Sequence, residues 1–399
     1  MTREQAREQA AASIDTAAPL RAARQIVPHV GGAADEIERI GKLPPSLVAA
    51  LHEARLFRLL LPAAVDGEEV EPRSFLEVVE EIAKADGSTA WCLAQTSVCT
   101  MFSVLLAADV AQEIFVDRAA VLAMGYGADA CAVAVEGGYR VTGKWSFASG
   151  GHHATWLASP CIEHEADGTP RLDGYGKPMP RTVLFPASVA PLQPVWNVLG
   201  LKGTGSDAYS VSNLFVPTRY SFNPTDLPLA ASHRPLYLFP PNSLWGSGFA
   251  AIALGIARGV LDALIDLATQ KTPRGATRPM ANEVAVQSLI ARSEAKLQSA
   301  RMFLFNAIET SWRCALAGEV NLARRIAIRL AASHAIAEAK GVVDGCYDAA
   351  GATAVFAAQP FERRFRDIHA VTQHLHGRGS HFELVGQFML GLAPNTTFL

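Results

Sequence analysis

Residues 137–156 read GGYRVTGKWSFASGGHHATW, and the reading of this stretch decides the fold. The preceding Ala132–Glu136 and the following Tyr139–Gly143 are two short runs rich in β-branched and apolar residues. The pair Gly137-Gly138 between them predicts a two-residue hairpin turn, because such turns need positive φ angles that glycine adopts freely. Trp145 and Phe147, two residues apart, are expected on one face of the outgoing strand. Ser149 then stands where the strand gives way to Gly150 and Gly151. By spacing alone, these residues read as a pair of core aromatics and a turn serine.

Outward from the hairpin, the β character persists. Trp156–Ser159, Arg181–Phe185 and Tyr209–Val216 read as further strands, and the polar stretch Glu163–Pro180 reads as a surface loop. The strands follow too closely for βαβ units, so a small β domain over residues 121–228 is expected. On both sides the pattern changes to helical spacing. In 1–120, Ala34–Ile40, Leu43–Ala54, Phe75–Ala85, the nearly uncharged Ser88–Leu106 and Leu105–Phe115 carry helical patterns. In 229–399, Ser243–Gln270, Glu283–Ala317, Leu322–Ala350 and Phe382–Leu392 predict three long helices and a shorter one, packed as a bundle. Residues 393–399 are expected to fray. The fold class is mainly α with a central β domain.

Composition narrows the function. Half of the 399 residues are hydrophobic and 18% are charged, which excludes overall disorder. A net charge of −3 with no basic stripe argues against nucleic acid. The six cysteines form no C-x-x-C pair, so a zinc ribbon or thioredoxin-like motif is excluded. The N-terminus shows no apolar leader segment. The uncharged run Pro235–Ala257 is broken by Pro240, Pro241 and Asn242, and reads as a loop entering a buried helix rather than a membrane span. A soluble cytoplasmic protein is expected.

Generic catalytic motifs are missing from the sequence: there is no H-E-x-x-H, no P-loop and no G-x-S-x-G. Gly200–Ser206 (GLKGTGS) is glycine-rich, but a strand follows it, so it lacks the helix of a phosphate site. His369, His374 and His376 are poorly spaced for a helical metal site, which prefers i, i+4.

A family resemblance makes these features specific. Gly137–Trp156 resembles the β-domain signature of the flavin-dependent monooxygenases built on the acyl-CoA dehydrogenase fold. ADGSTAW (Ala85–Trp91) resembles that family's helix beside the flavin, and Gly200–Tyr220 resembles the end of its β domain. RRFRDIHAVTQH (Arg363–His374) resembles the C-terminal segment that closes its active site. The resemblance implies an N-terminal helical domain, a β barrel and a C-terminal four-helix bundle. It also implies Ser149 by the flavin N5–O4 edge, Phe147 and Trp91 along the ring, and His374 as the active-site histidine. Arg366 and Asp367 would be structural. Arg274 is a candidate for the cofactor phosphate of a neighbouring subunit.

The implied reaction uses reduced FMN, or FAD, and O2, through a C4a-hydroperoxyflavin shielded from water. Ser149 would supply a hydrogen bond at N5, and His374 an imidazole that titrates in a useful range. A separate flavin reductase, a small aromatic substrate and a homotetramer follow from the same resemblance. Phenol-hydroxylating members carry a histidine after the G-S-x-x-W motif. Here Cys99 or a neighbour stands there, either facing substrate or as a small buried hydrophobe. The alternative is an acyl-CoA dehydrogenase or oxidase with an atypical base, because the segment after Arg366-Asp367 has no glutamate. A non-catalytic binding relative is the remaining rival.

Overall fold

The structure is a computed structural model that describes residues 17–226, 231, 233–396 and 399. The reading of the first sixteen residues therefore lies outside the described residues. Helices precede and follow one sheet, in the expected order.

The N-terminal block holds α1 (Ala18–Ile40), α2 (Pro45–Glu53), α3 (Pro72–Ala85), α4 (Gly87–Thr100) and α5 (Ala108–Phe115). Helix α1 begins sixteen residues before the expected Ala34. Its buried Ala23, Ile26, Val30, Ala34 and Ile37 recur at three- and four-residue spacing, a sparse stripe among polar residues. Helix α4 starts at Asp86, whose carboxylate accepts from Thr89 N (2.6 Å) and Thr89 Oγ1 (2.7 Å), an N-cap that satisfies an otherwise orphan donor. The helix is buried almost all round. It ends at Thr100, and Met101–Leu105 continues as a 3₁₀ turn.

The central sheet contains β1 (Leu122–Met124), β2 (Cys131–Val135), β3 (Gly138–Trp145), β4 (Trp156–His164), β5 (Pro180–Pro186), β6 (Tyr209–Pro217) and β7 (Ser221–Phe222). Its order is β6-β3-β2-β4-β5-β7, with β1 beside β4. The β1–β4 and β2–β4 pairings are parallel and the rest antiparallel, giving a curled mixed sheet. Val135 pairs with Gly138, so the tight turn is Glu136-Gly137, one residue earlier than the expected Gly137-Gly138. Only Gly137 takes a positive φ (76°). Gly138 lies within β3, where a Cβ would come 2.3 Å from the Val216 carbonyl oxygen.

The C-terminal block holds α6 (Pro241–Gln270), α7 (Val284–Leu316), α8 (Leu322–Ala350), α9 (Pro360–Gln373) and α10 (Ser380–Met389). Helix α6 packs against α3, α4, α7, α8 and α9, so it runs through the middle of the molecule. It is long and apolar enough to cross a membrane by composition, but 72% of its most apolar window is buried inside the protein. Helix α9 escaped the periodicity reading because its sequence is dominated by charge. Its inward face is Phe361, Asp367, Ile368 and Val371. The expected fraying of the C-terminus does not extend to Leu399, which is buried beside Ile326 and Val385.

Candidate active site

Where α4, α6 and the end of α9 meet the loops of the sheet, a cavity of about 450 Å³ opens. Trp91 and Gln95 reach it from α4, and Trp245 and Phe249 from α6. Phe147 and Ser149 reach it from the end of β3, and His374 from the end of α9. Four residues singled out in the sequence, at positions 91, 147, 149 and 374, thus converge in space.

Trp145 and Phe147 do not share a strand face. Strand β3 ends at Trp145, which is fully buried, stacks on Tyr209 and donates from Nε1 to the Pro160 carbonyl (2.8 Å). Phe147 takes a left-handed backbone (φ 58°), unusual for a residue with a Cβ. Hydrogen bonds from Ala148 N to Asp207 O (3.1 Å) and from Ser149 N to Phe147 O (2.8 Å) hold that bend. The ring is 62% exposed at the cavity wall, edge-on to Trp196. Backbone strain of this kind is worth about 1–3 kcal/mol and persists where surrounding structure enforces it.

Ser149 sits in a directed chain of hydroxyls. Thr204 Oγ1 donates to the Leu201 carbonyl (2.8 Å), which commits its only proton. Ser206 Oγ, 2.7 Å away, must then donate to Thr204, and Ser149 Oγ, 2.6 Å from Ser206, must donate to Ser206. Trp91 Nε1 donates to Ser149 Oγ at 3.1 Å. Every proton is thereby assigned, and the Ser149 oxygen is left as an acceptor.

His374 caps the C-terminus of α9. Its ring lies edge-on to Trp91 (5.1 Å between centroids) and Phe249 (4.6 Å). Nδ1 accepts from the His376 backbone N–H (3.3 Å), so the neutral ring carries its proton on Nε2. Burial, and then the charges of Arg378 and Arg329, push its pKa down to about 4. At neutral pH it is an uncharged hydrogen-bond donor, which corrects the expectation of an imidazole titrating in the working range. His376 is held well below the usual value by burial and by Arg329, whose Nη1 donates to its Nδ1 (2.8 Å).

Helix α9 is clamped to the glycine-rich loop. Asp367 Oδ1 accepts from Leu201 N (2.6 Å), and Arg366 Nη1 donates to the Leu199 carbonyl (2.7 Å). Arg366 also pairs with Glu38 and Glu362, and Glu38 in turn with Lys202. A Cβ on Gly200 would sit 2.2 Å from the Arg366 carbonyl oxygen, so glycine permits the close approach. Burial pushes the Asp367 carboxyl up to about 7.

Cys99 is fully buried outside the cavity lining, and Gln95, one turn earlier, takes the cavity position. Gln95 Nε2 rests 3.9 Å from Cys99 Sγ. The signal for Gln95 was its i+4 spacing from Trp91. Arg274 is exposed on the turn after α6, away from this cavity. His369 lies on α9 with Nδ1 against the Phe365 carbonyl (2.7 Å), whereas His376 lines the cavity. Trp196, Thr204 and Ser206 are cavity residues that sequence reasoning missed, because their loops carry no periodicity.

Residues 3–114 match the acyl-CoA dehydrogenase N-terminal domain, and residues 247–378 match the acyl-CoA dehydrogenase C-terminal domain. The chain is 28% identical to the indole-3-acetate monooxygenase of Pseudomonas putida over 366 residues, 91% of each chain. It is 29% identical to the flavin-dependent monooxygenase oxygenase subunit HsaA of Rhodococcus jostii, covering 88% of this chain and 92% of that one. Among solved structures, the 3-HSA hydroxylase from Rhodococcus sp. RHA1 superposes with a TM-score of 0.87 at 25% identity, covering 96% of this chain and all of the other.

Proposed function

We infer that this chain, a member of the flavin-dependent monooxygenases built on the acyl-CoA dehydrogenase fold, is the oxygenase component of a two-component system that oxygenates a small aromatic substrate. The observation that carries the reading is the content of the cavity. Aromatic walls, an acceptor hydroxyl and a neutral histidine meet there, and among the described residues no Asp or Glu lines it. A dehydrogenase needs a carboxylate or comparable base to take a proton beside a carbonyl. The rival reading therefore has no carboxylate here and would have to use the His374 imidazole, which burial makes a weak base with a pKa of about 4.

The residues present fit a reduced flavin. An exposed phenyl ring held in a strained backbone, in a cavity also lined by Trp91 and Trp196, suits a planar aromatic ligand. Phe147, Trp91 and Trp196 would flank the ring system, and the Ser149 oxygen would accept from an N–H on its edge. When bound, reduced flavin supplies the electrons that activate dioxygen. The chain's own part is to orient, to exclude water and to place a proton. His374 offers Nε2–H to an oxygen atom in the cavity without carrying a charge of its own. The apolar inner walls, Trp91 and Phe249, limit the water near the reacting atoms. A separate reductase provides the reduced flavin, FMN or FAD. The proposal extends to a cytoplasmic homotetramer in which Arg274 reaches the cofactor phosphate of a neighbouring subunit.

The test is anaerobic titration with reduced FMN or FAD, followed by mixing with oxygen and indole or a simple phenol. Oxygenated product without any acyl-CoA is expected. Oxidation of an acyl-CoA thioester with no reductase present would replace this reading with the dehydrogenase one.

A further inference from the structure

The relatives include an enzyme named for an arylacetate, an aromatic ring carrying a carboxylate. The cavity of this chain is not built for such a molecule. Among the described residues, no Lys, Arg, Asp or Glu lines it. Its polar side chains are carboxamides, hydroxyls and the imidazoles of His374 and His376, and both imidazoles are held neutral. The cations whose charge reaches His374 are Arg329 and Arg378. Arg329 is 2% exposed, stands behind His376 with Nη1 bonded to that ring, and does not line the cavity. Arg378 is exposed to solvent, also outside the lining. A carboxylate brought to the inner end of this space, beside Trp91 and Phe249, would be desolvated with no cation to meet it, and an isolated buried charge is among the costliest groups to place.

Gln95 adds a positive preference. Its Nε2 lies 3.9 Å from Cys99 Sγ, and its carboxamide brings an acceptor oxygen to the cavity wall. A carbonyl oxygen accepts and cannot donate, so it favours a ligand with an N–H or O–H. The Trp245 indole holds the Gln95 main chain in place by donating from Nε1 to its carbonyl (3.4 Å).

We propose that the substrate is an uncharged aromatic molecule bearing an N–H or O–H donor, selected by the Gln95 carboxamide, and that ring acids such as arylacetates are excluded. This rests on the monooxygenase reading only for the word substrate; the selectivity itself is a property of the cavity.

Isothermal titration calorimetry reports binding without flavin or turnover, and it suits indole ligands, which share the chromophore of the cavity residues Trp91, Trp196 and Trp245. The probes are indole, 1-methylindole and indole-3-acetate. Indole is expected to bind at least about tenfold more tightly than either of the others, since a site built to hydrogen-bond a group rejects analogues that lack it. Gln95→Leu should erase the preference for indole over 1-methylindole, and Gln95→Arg should admit indole-3-acetate. Equal binding of indole and indole-3-acetate, equal binding of indole and 1-methylindole, or no saturable binding heat with any probe would overturn the proposal. A second measurement supplies chemically reduced FMN and oxygen and follows product. Indole-selective binding without any oxygenation would sustain the cavity proposal and defeat the monooxygenase reading. Oxygenation of indole-3-acetate as fast as indole would do the reverse.

Discussion

Trp91 Nε1 donates to Ser149 Oγ across 3.1 Å, tying the buried helix α4 to the end of strand β3. The bond makes two separate blocks of the fold share one cavity wall, at the head of the hydroxyl chain that runs through Ser206 to Thr204. Ser149→Ala therefore removes an acceptor from the cavity and strands the Trp91 N–H. Losing such a bond costs about 1–3 kcal/mol, roughly ten- to a hundredfold in an equilibrium or a rate. Weaker binding of reduced flavin and more hydrogen peroxide per product are expected, measured by titration and a peroxidase-coupled assay. An unchanged peroxide-to-product ratio would remove Ser149 from the site.

His374→Ala is expected to retain reduced flavin while losing about 10²–10⁴-fold in product formation, the range typical of a positioned proton donor. Oxygen consumption should continue, with hydrogen peroxide replacing product. His369→Ala is the control, because that side chain is bonded within α9 and lies off the cavity. Wild-type turnover in His374→Ala would make the ring a packing residue between Trp91 and Phe249.

The histidines also dictate acid lability. His374 is pushed down to about 4, and His376 and His153 also lie below their ordinary 6.5. Below 6.5 the unfolded chain then binds protons that the folded chain refuses, so this contribution to stability is complete above 6.5 and is lost as pH falls toward 4. The urea midpoint should decline across that interval, and more shallowly in His374→Asn. A midpoint that rises on acidification would contradict neutral burial. The activity profile should show no limb from His374 between pH 6 and 8.

Phe147→Gly should separate stability from function. Glycine adopts the φ of 58° freely, and the phenyl ring it removes is mostly exposed. Relief of about 1–3 kcal/mol of strain offsets the 0.4–1 kcal/mol of added unfolded-chain entropy, roughly. The melting temperature should hold or rise while flavin affinity falls. A clear loss of stability would show that the ring is a core residue.

Asp367 fixes the loop that carries Leu201, Thr204 and Ser206. Asp367→Ala leaves the buried Leu201 N–H unpaired, at about 1–3 kcal/mol, and should weaken flavin binding through the displaced loop. Asp367→Asn keeps an acceptor oxygen and should recover most of both losses. If the two variants behave alike in denaturant midpoint and flavin affinity, the hydrogen bond is not what docks the loop.

Local chemistry in the chain determined much of this protein. The cap at Asp86, the apolar stripes of α3 and α7, and the change from helical to alternating spacing near residue 121 depend on neighbours a few positions apart. They are therefore readable in order along the sequence. The motifs around Trp91, Ser149 and His374 carried the family resemblance for the same reason. Tertiary structure decided what is set by contact between distant segments. Phe147 leaves the face of Trp145 because Asp207, sixty positions on, bends its backbone. Charge hid α9 from any periodicity, since its arginines are satisfied by carbonyls and carboxylates of the other blocks. The low pKa of His374 comes from burial between α4 and α6, and Gln95 displaces Cys99 from the cavity only because α4 presents one of its faces there. Burial and cross-chain hydrogen bonds exist only after the segments have packed, so no window of sequence contains them.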